Sequence, residues 1–467
     1  MVRYISTRGE APVLSFDEVV LTGLARDGGL YVPETWPQFS QDEIRSLASM
    51  NYADAAAFLL YPFIGDAISK SDFTAMTTKA YASFSHQAVV PLSQLGPNEF
   101  LMELYHGPTL AFKDVALQLL GLLYDHLLGS RGKRVTIVGA TSGDTGSAAI
   151  DACRGRDAVD IFILHPAGRV SEVQRRQMTT VLDSNVHNIA VEGDFDDCQA
   201  MVKAMFNDLA FRDELAVSAV NSINWARVMA QIVYYFTVGV SLGSPDRAVS
   251  FSVPSGNFGD VYAGYAASKM GLPVEQLIVA TNRNDILSRF FNSGEYRKSG
   301  VDPTISPSMD IQVSSNFERF LFDLHGRDGV AVSDLMSKLD TDGGFSVNMS
   351  LLNEGIFSAG SSSEDETLQT IQHTLQDSLK LVDPHTAVGL KVGAECRNHS
   401  DAPLVTLSTA HPAKFPDAVE KATGVHPELP GHLSDLFTRE ERLVQLPNDL
   451  STVKSYIRER ARILQAI

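Results

Sequence analysis

Lys113 is the residue whose surroundings best suit attack on a carbonyl group. Residues 106–118 read His-Gly-Pro-Thr-Leu-Ala-Phe-Lys-Asp-Val-Ala-Leu-Gln, and an amphipathic helical pattern follows the lysine and stops at Gly129. A lysine at a helix start opposes the positive end of the helix dipole. That dipole and partial burial favour the neutral amine, the form that attacks a carbonyl to give a Schiff base. The alternative is a surface lysine paired with Asp114, which the apolar flanking residues disfavour.

A glycine-rich turn at residues 139–146 could hold an anion. It reads Gly-Ala-Thr-Ser-Gly-Asp-Thr-Gly between a predicted strand and a predicted helix, where backbone N–H groups and hydroxyls accept negative charge. A dinucleotide-binding turn would need an acidic residue at the end of the next strand, but that strand ends in Leu164, His165 and Pro166. A P-loop is disfavoured because no Gly-Lys-Ser/Thr follows. A turn that only packs helix on strand remains the alternative.

A second glycine-rich turn follows a later strand. Residues 253–260 read Val-Pro-Ser-Gly-Asn-Phe-Gly-Asp and precede a predicted helix at residues 261–270. Open α/β sheets bind ligands at the carboxyl ends of their strands. Two such turns therefore predict two anionic groups held at neighbouring strand ends.

A further strand ends with Ser408 and Thr409, whose hydroxyls can bond a ring nitrogen without adding charge. His411 could suggest general-base chemistry, but a histidine beside a proline in a turn is interpreted as structural. The other histidines show no zinc-ligand spacing, so we predict no metal site. The chain also lacks the GxSxG elbow that carries the nucleophilic serine of α/β-hydrolases.

The elements that position these residues alternate between strand and helix, which is typical of parallel sheets covered on both faces. The predicted strands are residues 134–138, 160–164, 186–191, 248–253, 277–281 and 403–407. Residues 1–95 are instead helical and alanine-rich. The segment from about residue 285 to residue 400 interrupts the alternation of strands and helices. Within that insertion, 358–363 is a loop by composition. It ends in a capping box of Ser363 and Glu366 before a helix with Leu368, Ile371, Leu375 and Leu379 on one face.

Composition excludes several classes of protein. The 467 residues are 44% hydrophobic and 20% charged, with a net charge of −18, so disorder is excluded and binding of nucleic acid is disfavoured. The longest apolar run, residues 232–242, is well short of the roughly 20 residues of a membrane helix. Three cysteines without CxxC spacing are interpreted as buried thiols in a reducing compartment. We expect a soluble, cytoplasmic protein that binds no membrane.

The combined motifs resemble the fold-type II pyridoxal-phosphate enzymes and, among these, the long enteric and fungal threonine synthases. Six segments carry the resemblance, in this order along the chain: 4–9, 23–34, 106–113, 139–146, 254–260 and 410–415. The resemblance implies an α/β, tryptophan synthase β-like fold with two open, mostly parallel αβα domains and an N-terminal helical unit. The implied ranges are 1–95 for the N-terminal unit, 96–240 for the domain with the lysine, and 241–467 for the domain with the phosphate loop.

The resemblance also implies roles for particular residues. Lys113 would hold pyridoxal 5′-phosphate as a Schiff base, and Thr409 would face the pyridine nitrogen. The phosphate would be held by Ser255, Gly256, Asn257, Phe258 and Gly259, with Asp260 nearby. The substrate carboxylate and the phenolic edge of the cofactor would meet Thr141, Ser142, Asp144 and Thr145. Many fold-type II enzymes have Asn in place of Asp144, so the role of this aspartate is less defined.

The implied reaction converts O-phospho-L-homoserine and water to L-threonine and phosphate, in a monomer or homodimer. Candidate cations for the substrate phosphate are Arg8, Arg283 and Lys414, and surface ion pairing is the alternative for each. The rival functions are a serine/threonine dehydratase or related phospho-lyase on the same fold, and a non-catalytic phosphate-binding protein.

Overall fold

The computed structural model describes residues 2–218, 222–352, 355–398 and 400–464. The chain forms two compact units. Unit 1 comprises residues 1–19, 23–112 and 222–427, and unit 2 comprises 20–22, 113–221 and 428–467. The predicted ranges 1–95, 96–240 and 241–467 do not coincide with these units, because the chain leaves each unit and later returns to it. The three-domain division therefore stays a prediction.

The strands are β1 Tyr4–Ser6, β2 Tyr31–Pro33, β3 Leu92–Gly96, β4 Glu99–Glu103, β5 Val135–Ala140, β6 Val159–Pro166, β7 Val186–Glu192, β8 Val217–Ser218, β9 Val249–Pro254, β10 Val274–Thr281, β11 Glu295–Arg297, β12 Gly344–Ser346, β13 Phe357–Ser361, β14 Leu404–Ser408 and β15 Val444–Pro447. The α-helices are α1 Phe16–Thr22, α2 Gln41–Ser46, α3 Tyr52–Ile64, α4 Lys70–Tyr81, α5 Lys113–Gly129, α6 Asp144–Cys153, α7 Glu172–Thr179, α8 Phe195–Asn207, α9 Leu209–Glu214, α10 Trp225–Ser241, α11 Gly259–Lys269, α12 Ile286–Ser293, α13 Phe317–Leu324, α14 Gly329–Thr341, α15 Glu364–Ser378, α16 Pro384–Cys396, α17 Pro416–Thr423 and α18 Leu450–Arg460.

Unit 1 is built on a six-stranded sheet in the order β13-β10-β9-β14-β4-β3. Neighbouring strands are parallel except β3 and β4. The three strands predicted for this part of the sheet are confirmed to within a few residues. Helix α16 approaches the sheet closely at Gly389, where a Cβ would lie 2.9 Å from the Thr406 side chain.

Unit 2 contains a five-stranded, wholly parallel sheet in the order β15-β7-β6-β5-β8. The predicted strands at 134–138, 160–164 and 186–191 are confirmed as β5, β6 and β7. One apolar core combines this sheet with α8 and α18, and it contains Ile189, Met201, Met205, Val453 and Ile457. The two open, mostly parallel sheets with their helices are the α/β fold expected for a fold-type II enzyme.

Several local predictions were wrong. The segment predicted as a loop at 358–363 is mostly strand β13, because it pairs in parallel with β10. Leu379 is 85% exposed in a left-handed cap and does not join the apolar face of α15, whose buried residue there is Ile371. Cys396 is only partly buried, whereas Cys153 and Cys198 are buried as predicted. The capping box of Ser363 and Glu366 is confirmed.

Candidate active site

Lys113 is the first residue of α5 and its side chain is inside the protein. The residue is 7% exposed, and its Nζ donates a hydrogen bond to Asp144 Oδ2 at 3.3 Å. The alternative of a solvated surface lysine is therefore wrong. Burial and this hydrogen bond hold the amine in a fixed place, which a carbonyl-binding lysine requires.

The backbone that leads to Lys113 is tied to the end of strand β14. The N–H of Phe112 donates to the carbonyl of Thr409 at 2.8 Å, and the N–H of His411 donates to the carbonyl of Leu110 at 3.0 Å. Leu110 has a φ of 63°, a left-handed conformation that a leucine adopts only when its surroundings impose it. These bonds place the buried Thr409 beside the residue that precedes the lysine.

His411 has the structural role that its neighbouring proline suggests. Its Nδ1 accepts a hydrogen bond from the N–H of Ala413 at 3.1 Å, which caps the short 3-10 helix Pro412–Lys414.

The glycine-rich turn at 139–146 bends tightly around the hydroxyl of Thr141. The Thr141 Oγ1 atom accepts hydrogen bonds from the N–H groups of Gly143 and Gly146, both at 2.9 Å. Asp144 follows as the first residue of α6 and is 5% exposed. Ser142 is exposed and Thr145 is half-buried. The turn thus brings the four predicted residues of the substrate loop together, with the Asp144 carboxylate turned to Lys113.

The second turn, residues 255–258, connects β9 to α11. Phe258 adopts the left-handed conformation with a φ of 61°, and its ring packs against Phe291, Phe317, Phe320 and Phe357. A Cβ on Gly256 would lie 2.7 Å from the carbonyl oxygen of Ser308. Only glycine therefore fits there, and the aromatic cluster holds the strained Phe258 in place.

Residues 314–316 donate hydrogen bonds to two backbone carbonyls and one side chain of this turn. Ser314 Oγ donates to the Gly256 carbonyl, and the N–H of Asn316 donates to the Asn257 carbonyl. Ser315 Oγ donates to Asn257 Oδ1 at 3.0 Å. Within the described part of the chain, no acceptor bonds the N–H groups of residues 256–259. A row of such N–H groups at a helix start fits a phosphate dianion, so these residues fit the phosphate of pyridoxal phosphate.

Asp260 lies in the first turn of α11 and is held by two tyrosines. Tyr234 and Tyr235 both donate to its Oδ1, and Tyr235 also donates to its backbone carbonyl at 2.9 Å. Oδ2 has no partner among the described residues. Burial raises the pKa of Asp260 to about 6, and the tyrosine hydrogen bonds oppose that rise. The carboxyl therefore fastens the start of the helix.

A buried arginine supports the same region. Arg319 is fully buried and donates to the carbonyl of Tyr31, to the carbonyl of Ile223 and to Asn316 Oδ1. Burial lowers the pKa of Arg319 to about 10. The guanidinium group holds Asn316, whose N–H donates to the Asn257 carbonyl of the turn.

The three candidate cations already have partners. Arg8 forms a bidentate ion pair with Glu318, and Arg283 pairs with Glu364 at 3.1 Å. Lys414 is fully buried and its Nζ donates to the Thr109 carbonyl at 2.7 Å. A role for any of them in binding substrate phosphate stays a prediction.

Sequence reasoning missed four sets of residues that hold the two turns: Gln174, the tyrosine pair 234–235, residues 314–316 and Arg319. A usable pattern existed only for Gln174, because Ser171-Glu172-Val173-Gln174 has the spacing of a capping box. The others act through contacts between segments far apart in the chain, which no local pattern records.

The described residues include neither a metal-binding cluster nor a membrane-spanning helix. Three or more His, Cys, Asp or Glu side chains do not gather there in a way that could bind a metal ion. No helix in that part of the chain has both the length and the apolar character needed to cross a bilayer.

Comparison with known proteins covers nearly the whole chain. Residues 3–81 match the family model described as the threonine synthase N terminus, 87–338 match the pyridoxal-phosphate dependent enzyme model, and 386–457 match the threonine synthase C-terminal model. The threonine synthase of Pseudomonas aeruginosa is 57% identical, with 98% of each chain covered.

Solved structures agree with the family models. The crystal structure of pyridoxal-phosphate-bound threonine synthase from Brucella melitensis has a TM-score of 0.97 and 57% identity, covering 99% of this chain and 100% of that one. The yeast threonine synthase structure has a TM-score of 0.93 and 41% identity, covering 98% of both chains. The chain belongs to the threonine synthase family of pyridoxal-phosphate-dependent enzymes.

Proposed function

We propose that this protein converts O-phospho-L-homoserine and water to L-threonine and phosphate, as a lyase that breaks a carbon–oxygen bond of a phosphate ester. The observation that carries the proposal is the buried Lys113 amine, hydrogen bonded to the equally buried Asp144. The chain thereby keeps the reactive group that a non-catalytic phosphate-binding relative would have no need to preserve.

Particular residues would hold the cofactor and the substrate. Pyridoxal phosphate, when bound, supplies an aldehyde for an amine and a conjugated ring that withdraws electrons from the α-carbon of the substrate. Lys113 would bind the aldehyde, and Ser255, Gly256, Asn257, Phe258 and Gly259 would hold the phosphate. The hydroxyl of Thr409 would face the ring nitrogen, and Thr141, Ser142, Asp144 and Thr145 would surround the substrate carboxylate and the phenolic edge. Asp260 would act by fastening α11 through the tyrosine pair.

The amine of Lys113 has two tasks in this reaction. In its neutral form, Nζ can take the α-proton of the substrate. In its protonated form, Nζ donates to Asp144 Oδ2, and that contact stabilises the ammonium group until it returns the proton. Loss of a β-proton together with the γ-phosphate, return of a proton to Cγ, and addition of water at Cβ with a proton to Cα then give threonine and phosphate.

Thr409 fits a ring nitrogen that is not fully protonated. An aspartate at this position would hold a proton on the ring and make it a stronger electron sink, whereas a hydroxyl adds no charge. The buried threonine therefore supports an elimination and hydration rather than a transamination.

The test is to incubate the purified, cofactor-loaded protein with O-phospho-L-homoserine and measure threonine and inorganic phosphate together. We expect equal amounts of both products. A dehydratase would instead release a 2-oxoacid and ammonia, and a binding protein would release nothing.

The matched variants are Lys113→Ala and Lys79→Ala, the latter on the exposed face of α4. Lys113→Ala should lose at least a thousandfold in rate, on the order of what removing a catalytic nucleophile costs, and Lys79→Ala should keep the rate. Borohydride reduction followed by peptide mapping should place the pyridoxyl group on Lys113. A label on another lysine would contradict the assignment.

A further inference from the structure

Gln174 contacts the same carboxylate that bonds the Lys113 amine. It lies in the first turn of α7 and is 5% exposed. Its Nε2 donates to Asp144 Oδ1 at 2.9 Å, while Lys113 Nζ donates to Oδ2 of the same carboxylate. One carboxylate therefore joins the glutamine amide to the lysine amine.

The orientation of the Gln174 amide is fixed from its other end. Ser171 caps α7 and its hydroxyl donates to Gln174 Oε1 at 3.0 Å. An ionised carboxylate only accepts hydrogen bonds, so it must face the amide nitrogen, and a donating hydroxyl must face the amide oxygen. Both neighbours select the same amide orientation.

Steric packing fixes the position of the same side chain. A Cβ on Gly143 would lie 2.4 Å from both Cδ and Oε1 of Gln174. Gly143 also has a φ of 142°, which a side chain would rarely adopt. A side chain at residue 143 would therefore push the glutamine amide from its place, and the φ of 142° independently favours glycine there.

The two arginines that follow Gln174 in the chain have partners of their own. On α7, Arg175 pairs with Glu441 and Arg176 pairs with Glu172 and Glu441. Asp114, next to Lys113 in the chain, is fully buried.

We propose that Gln174 is a positioning residue that keeps the Asp144 carboxylate ionised and directed at the Lys113 amine. This inference rests on the proposed function only in taking Lys113 as the reacting amine. A hydrogen bond from a neutral amide stabilises a carboxylate, and an oriented carboxylate stabilises the neighbouring ammonium group. The amide would therefore act on Lys113 through Asp144, without touching substrate or cofactor.

The experiment measures the protonation of Lys113 directly in the full-length chain, freed of cofactor and checked for folding by circular dichroism. Trace acetic anhydride labels neutral amines, and mass spectrometry of the Lys113 peptide at a series of pH values gives the midpoint of its labelling. Gln174→Met keeps the size of the side chain but removes the donor. We expect its midpoint to move to lower pH by about half a unit to one unit, since a nearby opposite charge shifts titration by that order or more.

Gln118→Met is the matched control. Gln118 is also a buried glutamine of unit 2, and its Nε2 donates to another carboxylate, Asp151 Oδ2, at 2.7 Å. This variant should leave the Lys113 midpoint unchanged. An equal shift in both variants would overturn the proposal, as would an unchanged midpoint in Gln174→Met.

A double-mutant comparison separates action through Asp144 from a general effect on the fold. Asp144→Asn should move the midpoint further than Gln174→Met, and adding Gln174→Met to Asp144→Asn should move it no more. An undiminished further shift would contradict action through the carboxylate. If Gln174→Met does not fold, Gln174→Asn serves in its place, because its amide is one methylene too short to reach Asp144.

The labelling result is independent of the overall reaction. If the wild-type protein made no threonine but Gln174→Met still shifted the Lys113 midpoint, the proposed function would fail and the positioning role would stand. If threonine and phosphate formed but the midpoint did not move, the positioning role alone would fail.

Discussion

At the scale of single residues, the buried carboxyl of Asp260 holds the start of α11 in place but lowers the stability of the folded protein when it is ionised. Its pKa rises from 3.8 to about 6 in the folded protein, mainly because of burial. Between those pH values the folded state binds more protons than the unfolded state, so stability falls as the pH rises through this range. The whole pKa shift of Asp260 corresponds to a loss of about 3 kcal/mol in the free energy of unfolding. About 2 kcal/mol of this loss occurs between pH 4.5 and 7.5.

Asp260→Asn should therefore gain stability relative to wild type as the pH rises. Asparagine can still accept the tyrosine hydrogen bonds through its Oδ1 atom but carries no charge to bury. The free energy of unfolding of the cofactor-free protein can be measured with denaturant at about pH 4.5 and 7.5. Relative to wild type, the variant should be more stable at pH 7.5 than at pH 4.5 by about 2 kcal/mol. The exposed Asp66→Asn serves as control, and an equal change there would contradict the assignment to Asp260.

At the scale of secondary structure, the start of α11 carries N–H groups that bond no acceptor among the described residues. The turn before it has little room to change its backbone conformation. A Cβ at residue 256 would meet the Ser308 carbonyl at 2.7 Å and the Met309 Cα at 3.2 Å. Since both atoms belong to the backbone, the turn itself would have to move. Gly256→Ala should therefore displace the N–H groups that fit a phosphate.

The measurement compares two ligands that differ only in the phosphate. Gly256→Ala should weaken binding of pyridoxal phosphate at least tenfold, as expected when a charge-assisted hydrogen bond is lost, while binding of pyridoxal should change much less. Gly431→Ala is the control, because a Cβ there meets nothing within 4 Å. Equal weakening of both ligands would indicate a general disturbance of the fold and contradict a phosphate site.

The sequence allowed accurate prediction where a structural element depends on its own residues. The strands at 186–191 and 403–407, the helix from Lys113 to Gly129 and the capping box at Ser363 all follow from local pattern and agree with the structure. Residues 358–363 look like a loop because serine and glycine have low strand propensity, yet pairing with β10 makes them a strand. Residues 314–316 carry no local signal, since their partners are the carbonyls and side chain of a turn more than fifty residues away.

At the scale of the whole molecule, residues that are far apart in the sequence belong to the same core. Unit 2 takes its last strand and last long helix from residues beyond 428. Strand β15 adds to the edge of β7 in parallel, and Arg462 donates to the buried carboxylate of Asp160 at 2.6 Å. A division of the chain into consecutive ranges, such as 96–240 and 241–467, cannot represent this return, because nothing local to 428–464 indicates which sheet it joins.

Because the chain returns to unit 2 at its C-terminal end, a substitution on α18 should destabilise the sheet of that unit, although α18 is far from the sheet's central strands in sequence. Ile457 on α18 is fully buried in the same apolar core as Ile189 and Val191 of β7. Ile457→Ala should lower the free energy of unfolding by about 2–5 kcal/mol, since the lost contacts and the cavity both destabilise, and amide exchange in β6 and β7 should quicken. Leu209→Ala, at a 60% exposed position of the same unit, should change neither. If Ile457→Ala left exchange in β7 unaltered, the packing of α18 would not stabilise that strand.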